Sequence, residues 1–156
     1  MKTLFLTTAA FAALVALAPI GTAHAGAPAA APSEHPEMQE AFCRDHWTTR
    51  GVLNDEMFAY CVDKQHEGYL ALVADVAKYA DQVWMQPVVD AAGEKWTKRD
   101  QRQNEMVAYT VHKQIEGLLD LNYAREQPSW NEAKADECVS KWQYNFDMAA
   151  FCYKDN

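Results

Sequence analysis

No two cysteines of this chain stand three positions apart, so neither C-x-x-C nor C-x-x-C-H occurs. That excludes thioredoxin-like dithiol chemistry and covalent haem attachment. Cationic residues are scarce, with 14 Lys and Arg against 22 Asp and Glu and a formal charge of −8. A chain so acidic is poorly suited to nucleic acid or anionic lipid. If charge selects a partner, the partner is a protein with a cationic surface. Sustained period-two alternation is also missing, so no sheet is expected. After residue 25 no apolar run is long enough to span a bilayer.

The one long apolar run is at the start. Lys2 precedes it, Leu4 to Ile20 form it, and Thr22-Ala23-His24-Ala25 presents small residues where a signal peptidase reads. Residues 1–25 are therefore read as a secretory signal peptide, which places the protein in a periplasm or outside the cell. Cleavage after Ala25 would leave 131 residues with a formal charge of −9, enough for one domain with a real core. Residues 26–35 carry Ala and Pro without an apolar face and read as a flexible leader.

What fills the rest is a repeat. Trp47–Leu72 recurs without a gap as Trp96–Leu121, with 14 of 26 positions identical. A shorter third copy places Trp142, Asn145, Met148, Phe151 and Cys152 where Trp47, Asn54, Met57, Tyr60 and Cys61 stand in the first. The tryptophans are spaced by 49 and then 46 residues, a length that suits a pair of helices. Pro36, Pro87 and Pro128 each fall near the start of a unit, where a missing N–H costs nothing. Asn54 is a good N-cap, followed by the acids Asp55 and Glu56. Behind it Met57, Cys61, Gly68, Leu72 and Val76 share one helical face, as do Met106, Thr110, Gly117 and Leu121 in the second copy. In the first helix Met38, Phe42 and Trp47 are expected to be buried. The expected fold is all-α, with three tandem helical hairpins over about 36–85, 86–126 and 127–156. About six helices would form a small bundle or short solenoid in a single repeat domain spanning 36–156, its shortened last unit serving as a terminal cap.

Four cysteines allow three pairings, and the repeat chooses among them. Cys43 and Cys138 each precede a repeat tryptophan by four; Cys61 and Cys152 each follow a repeat methionine by four. In the middle copy the matching positions are Ala92 and Thr110. Two cysteines lost together imply one bond, so the expected disulfides are Cys43–Cys61 and Cys138–Cys152, each inside one hairpin.

Other chemistry is thin. His46 matches Lys95 and Lys141, His66 matches Ile115, and His112 matches Asp63, so the histidines form no ligand set and no metal or other cofactor is expected. Met57, Met106 and Met148 read as core. Trp47, Trp96 and Trp142 read as covers for the hairpin ends, their indole N–H groups bonded to the turns. The motif K-Q-x-E-G occurs twice, as Lys64, Gln65, Glu67, Gly68 and as Lys113, Gln114, Glu116, Gly117. Either each glutamine ties its helix to a neighbouring backbone that the glycine admits, or Gln65, Gln114, Lys64 and Lys113 line two polar ligand pockets. No catalytic residue stands out; His112 and Glu116 are an i, i+4 pair on an exposed face. The expected function is an exported, non-enzymatic, acidic repeat module that binds another macromolecule. A small-ligand or metal carrier with a pocket between hairpins is the alternative, and a hydrolase assembled in three dimensions comes third.

Overall fold

The structure is a computed structural model that describes residues 28–155; the signal-peptide reading of 1–25 falls outside them. Six α-helices follow in order: α1 (Pro36–His46), α2 (Asp55–Lys78), α3 (Met85–Lys95), α4 (Asn104–Arg125), α5 (Glu132–Trp142) and α6 (Phe146–Asp155). They form a compact all-α bundle of three hairpins, α1–α2, α3–α4 and α5–α6. Pro36 occupies the first turn of α1. The side chains of Asn54, Asn131 and Asn145 accept from the backbone N–H groups of Met57, Lys134 and Met148, at 3.2, 3.2 and 3.3 Å. Both disulfides lie within hairpins. Cys43 joins Cys61 with Cα atoms 5.7 Å apart, and Cys138 joins Cys152 at 5.8 Å.

Each hairpin closes with the same backbone bond. The N–H of Asn54, Gln103 or Asn145 donates to the carbonyl of Trp47, Trp96 or Trp142, at 3.0, 3.1 and 2.9 Å. Between those residues the first two hairpins differ from the sheet-free expectation. Thr48–Thr49 pairs with Val52–Leu53, and Thr97–Lys98 with Gln101–Arg102, as two antiparallel ladders of two residues per strand. Strands that short carry no alternation to read. What makes them is the turn: Arg50 and Gly51 have φ of 53° and 78°, and Arg99 and Asp100 have 50° and 61°. Positive φ at both central residues is what a type I′ hairpin turn requires. The third unit lacks this miniature ladder, and that is where its four missing residues went.

The second turn holds two side-chain-bearing residues in a left-handed conformation that Asn-Gly adopts far more readily. Replacing Arg99-Asp100 by Asn-Gly should stabilise the fold by about 1 kcal/mol. Thermal unfolding should show a melting point raised by about 2–4 °C. A lowered melting point would rule out the two-residue turn.

Helix α4 is central, packing on α2, α3 and α6. Three neighbours explain why its burial exceeds the single face expected. Val107, Val111, Ile115 and Leu118 are buried along with Leu121, whereas Met106 and Thr110 are half-buried on the side of its own hairpin. Val107, Val111, Ile115 and Leu118 make the main core with Leu72, Val76, Met85 and Val88, while Leu121 packs with Ala149 and Ala150 in a smaller second cluster; Trp84 meets Phe146 edge to face at 5.8 Å. In α1 the expected Met38, Phe42 and Trp47 are half-buried; Gln39 and Cys43 take the fully buried places, because the disulfide sets which side faces α2.

Residues 28–35 have no helix or strand, but they do not behave as a free leader. Ala29 N–H donates to the Ala80 carbonyl at 2.8 Å, Ala30 N–H to Gln86 Oε1 at 2.8 Å, and Ala29 packs on the main core. The Glu34 carbonyl accepts from Gln39 Nε2 and from Asn104 Nδ2, and its carboxylate meets His66 Nδ1 at 2.6 Å. The segment is a strap laid across the bundle, and its backbone satisfies the buried side chains of Gln39 and Asn104.

Candidate functional site

The two K-Q-x-E-G motifs sit at the seams between units. Gln65 is buried, and its Oε1 accepts from the backbone N–H of Glu105 at 3.2 Å, in the first turn of α4. Gln114 Oε1 accepts in the same way from Asp147 N–H at 3.2 Å, in the first turn of α6. Helix starts leave N–H groups without intrahelical acceptors, and each glutamine supplies one from the preceding unit. At α4 this matters more, because Gln103 makes no side-chain cap.

The glycines let the incoming backbone reach the glutamines. A Cβ on Gly68 would stand 2.5 Å from Glu105 Cα and N, and one on Gly117 would stand 2.5 Å from Phe146 C and O. The lysines and glutamates pair on the outside instead. Lys64 Nζ meets Glu67 Oε2 at 2.5 Å and Lys113 Nζ meets Glu116 Oε2 at 2.6 Å. Those bonds hold both ammonium groups above the ordinary lysine range and the Glu116 carboxyl below that of a free glutamate. Small surface clefts of about 190 and 310 Å³ adjoin Gln65 and Gln114, the first reaching Trp47 and Tyr60, the second Thr110 and Trp142.

The seams also set a stagger. Gly68 lies twelve residues beyond Glu56, the counterpart of Glu105; Gly117 lies twelve beyond Glu105, the counterpart of Asp147. Helix α4 is thus advanced along α2, and α6 along α4, by about 18 Å at 1.5 Å per residue. The stagger brings together pairs that sequence spacing hides. His112 Nδ1 reaches Asp75 Oδ2 at 3.2 Å across the α2–α4 seam, with Glu116 at 3.5 Å on its other side, and Lys154 Nζ reaches Asp120 at 2.7 Å. No serine, threonine or cysteine lines the cleft of about 390 Å³ beside the His112 group.

Trp96 and Trp142 differ from the expectation of turn bonding. Trp96 Nε1 donates to Thr110 Oγ1 at 2.8 Å, across the hairpin to α4. Thr110 occupies the position that is cysteine in the other units, so the middle hairpin replaces a disulfide by this hydrogen bond. Trp142 Nε1 is buried without a hydrogen-bond partner. His46 stacks on Phe42 at 5.6 Å and meets Trp47 edge-on at 5.0 Å. Among the described residues no group of three or more His, Cys, Asp or Glu could hold a metal ion. No helix among them is long and apolar enough to cross a membrane.

The remaining repeat position faces outward. Tyr60, Tyr109 and Phe151 are equivalent, and their exposures are 56, 57 and 57 %. Leu70 and Leu119, also equivalent, are exposed as well. Isolated exposed apolar groups are ordinary; the same one in every unit is a pattern. Acids accompany it at each helix start: Asp55 and Glu56, Glu105, and Asp147. No family model matches the chain, and neither a curated protein nor a solved structure matches it.

Proposed function

We propose that this is an exported interaction module whose working face is the staggered series Tyr60, Tyr109 and Phe151. Its partner is a protein with a cationic surface. The observation that carries the reading is the equal exposure of an aromatic at one repeat position in all three units. An aromatic face beside carboxylates suits an incoming Lys or Arg, which gains cation–π attraction from the ring and an ion pair from the acid. Lys64 already stands 5.7 Å from the Tyr60 ring centroid, so that ring accepts a cation within the protein itself. Rigid hairpins present the three rings at fixed steps, and a partner with basic residues at matching intervals would engage several at once.

A photo-crosslinking side chain placed at Tyr109 in the exporting cell tests this. The expected result is a discrete protein adduct, absent when the probe sits at exposed Asp136 on α5. Its yield should fall steeply between low and physiological salt. Equal adducts from both positions, or a yield that ignores salt, would reject the aromatic, acidic face as the selecting surface.

A further inference from the structure

A cleft of about 690 Å³ separates the strap from α3 and the second turn, away from the aromatic series. One wall is Ala30 to Ser33, and the other is the face of α3 carrying Gln86, Asp90 and Glu94. Arg102 forms its inner end. The guanidinium is half-buried and pinned: Nε donates to Asn104 Oδ1 at 2.7 Å and Nη1 to Thr97 Oγ1 at 3.3 Å. Asn104, fully buried, is itself fixed by the Glu34 carbonyl. No carboxylate among the described residues forms an ion pair with Arg102, and burial lowers its proton affinity with nothing to offset it. A partly desolvated cation without an anion is an uncompensated cost, and a guanidinium held by two bonds is a preorganised fork for a carboxylate.

The rest of the cleft narrows the ligand. Gly93 brings α3 under the guanidinium; a Cβ there would lie 3.3 Å from Arg102 Nη1. Asp90 and Glu94 flank that glycine one helical turn apart, Asp90 Oδ1 accepting from Gln86 Nε2 at 2.7 Å. A simple anion would meet these two carboxylates, and a simple cation would meet Arg102. A ligand carrying both charges close together satisfies both ends. Val89 and the strap's Ala30 and Ala31 add apolar surface, and the volume lies in the range of small-molecule sites. We propose that this cleft binds a free α-amino acid with an apolar side chain, its carboxylate on Arg102 and its ammonium between Asp90 and Glu94.

The test is a titration of the mature chain with L-leucine to millimolar concentrations, followed by backbone amide NMR shifts. N-acetyl-leucine, which lacks the ammonium, and leucine methyl ester, which lacks the carboxylate, are titrated in parallel. Leucine should shift amides of residues 30–33 and of α3, and each blocked derivative should bind about tenfold or more weakly. Asp90→Asn with Glu94→Gln, both exposed and the first keeping an oxygen that can still accept from Gln86 Nε2, should weaken leucine but not N-acetyl-leucine. Gly93→Leu should fill the floor and abolish binding with no change of charge. The proposal is overturned if leucine leaves these amides unmoved, if N-acetyl-leucine binds as well as leucine, or if the acid variants leave their ratio unchanged. Shifts confined to α3 and the strap bear on this cleft alone and leave the partner face around Tyr109 untouched.

Discussion

Alanine at Gly117 should destabilise the protein by about 2–3 kcal/mol, the opposite sign to the usual effect. In a helix interior Gly→Ala normally gains about 1 kcal/mol, because glycine loses the most backbone entropy on folding. Gly117 is the exception because the atoms its Cβ would meet are backbone of α6, Phe146 C and O, at 2.5 Å. No side chain can swing aside; the start of α6 must retreat. Retreat would also stretch the bond from Asp147 N–H to Gln114 and open the helix N-terminus to water. Gly68→Ala should behave alike against Glu105. Gly93→Ala is the internal control, because its Cβ meets no backbone, only the Arg102 guanidinium at 3.3 to 3.9 Å, where a shift of a few tenths of an ångström suffices. Urea unfolding of the three variants should therefore show two large losses and one near-neutral change. Three equal effects would mean that the seams are not close-packed.

Removing a whole disulfide should cost about 3 kcal/mol, given loops of 18 and 14 residues. The middle hairpin indicates how part of that loss can be recovered. Cys43→Ala with Cys61→Thr copies Ala92 and Thr110, and would let the Trp47 indole donate to the new hydroxyl as Trp96 does to Thr110 at 2.8 Å. It should be more stable than Cys43→Ala with Cys61→Ala by about 1 kcal/mol, the net worth of one hydrogen bond. Equal unfolding midpoints for the two double variants would show that the Trp96–Thr110 bond does not stand in for a disulfide. Single-cysteine variants should do worse in practice, since a stranded thiol can exchange or cross-link.

The repeat made much of this architecture legible. Cysteines absent together from the middle copy named their own partners, and the Gln and Gly of each motif indicated a close backbone neighbour. What stayed hidden was tertiary. The two-residue ladders are too short for any periodicity. The burial of α4 on several sides depends on neighbours far off in sequence. His112 finds Asp75 only through the twelve-residue stagger, which no spacing within one unit reveals. The indole of Trp96 passes over the turn for Thr110, a residue that looked in sequence like nothing more than a lost cysteine. The cleft at Arg102 needed the strap, and a stretch of Ala and Pro carries no pattern that predicts docking.

The Gln–Gly seam has a consequence for how such a chain can change its size. The seam asks for a Gln and a Gly from every donor and only a first-turn backbone N–H from every acceptor. Gly68 and Gly117 occupy matching points, so excision of the 49 residues from 69 to 117 would leave a Gln and a Gly correctly placed to receive Asp147. The reverse event, duplication of that segment, would add a seam without requiring a single new side chain. Copy number is therefore a heritable variable that recombination can alter in whole steps, with both ends of the product still compatible.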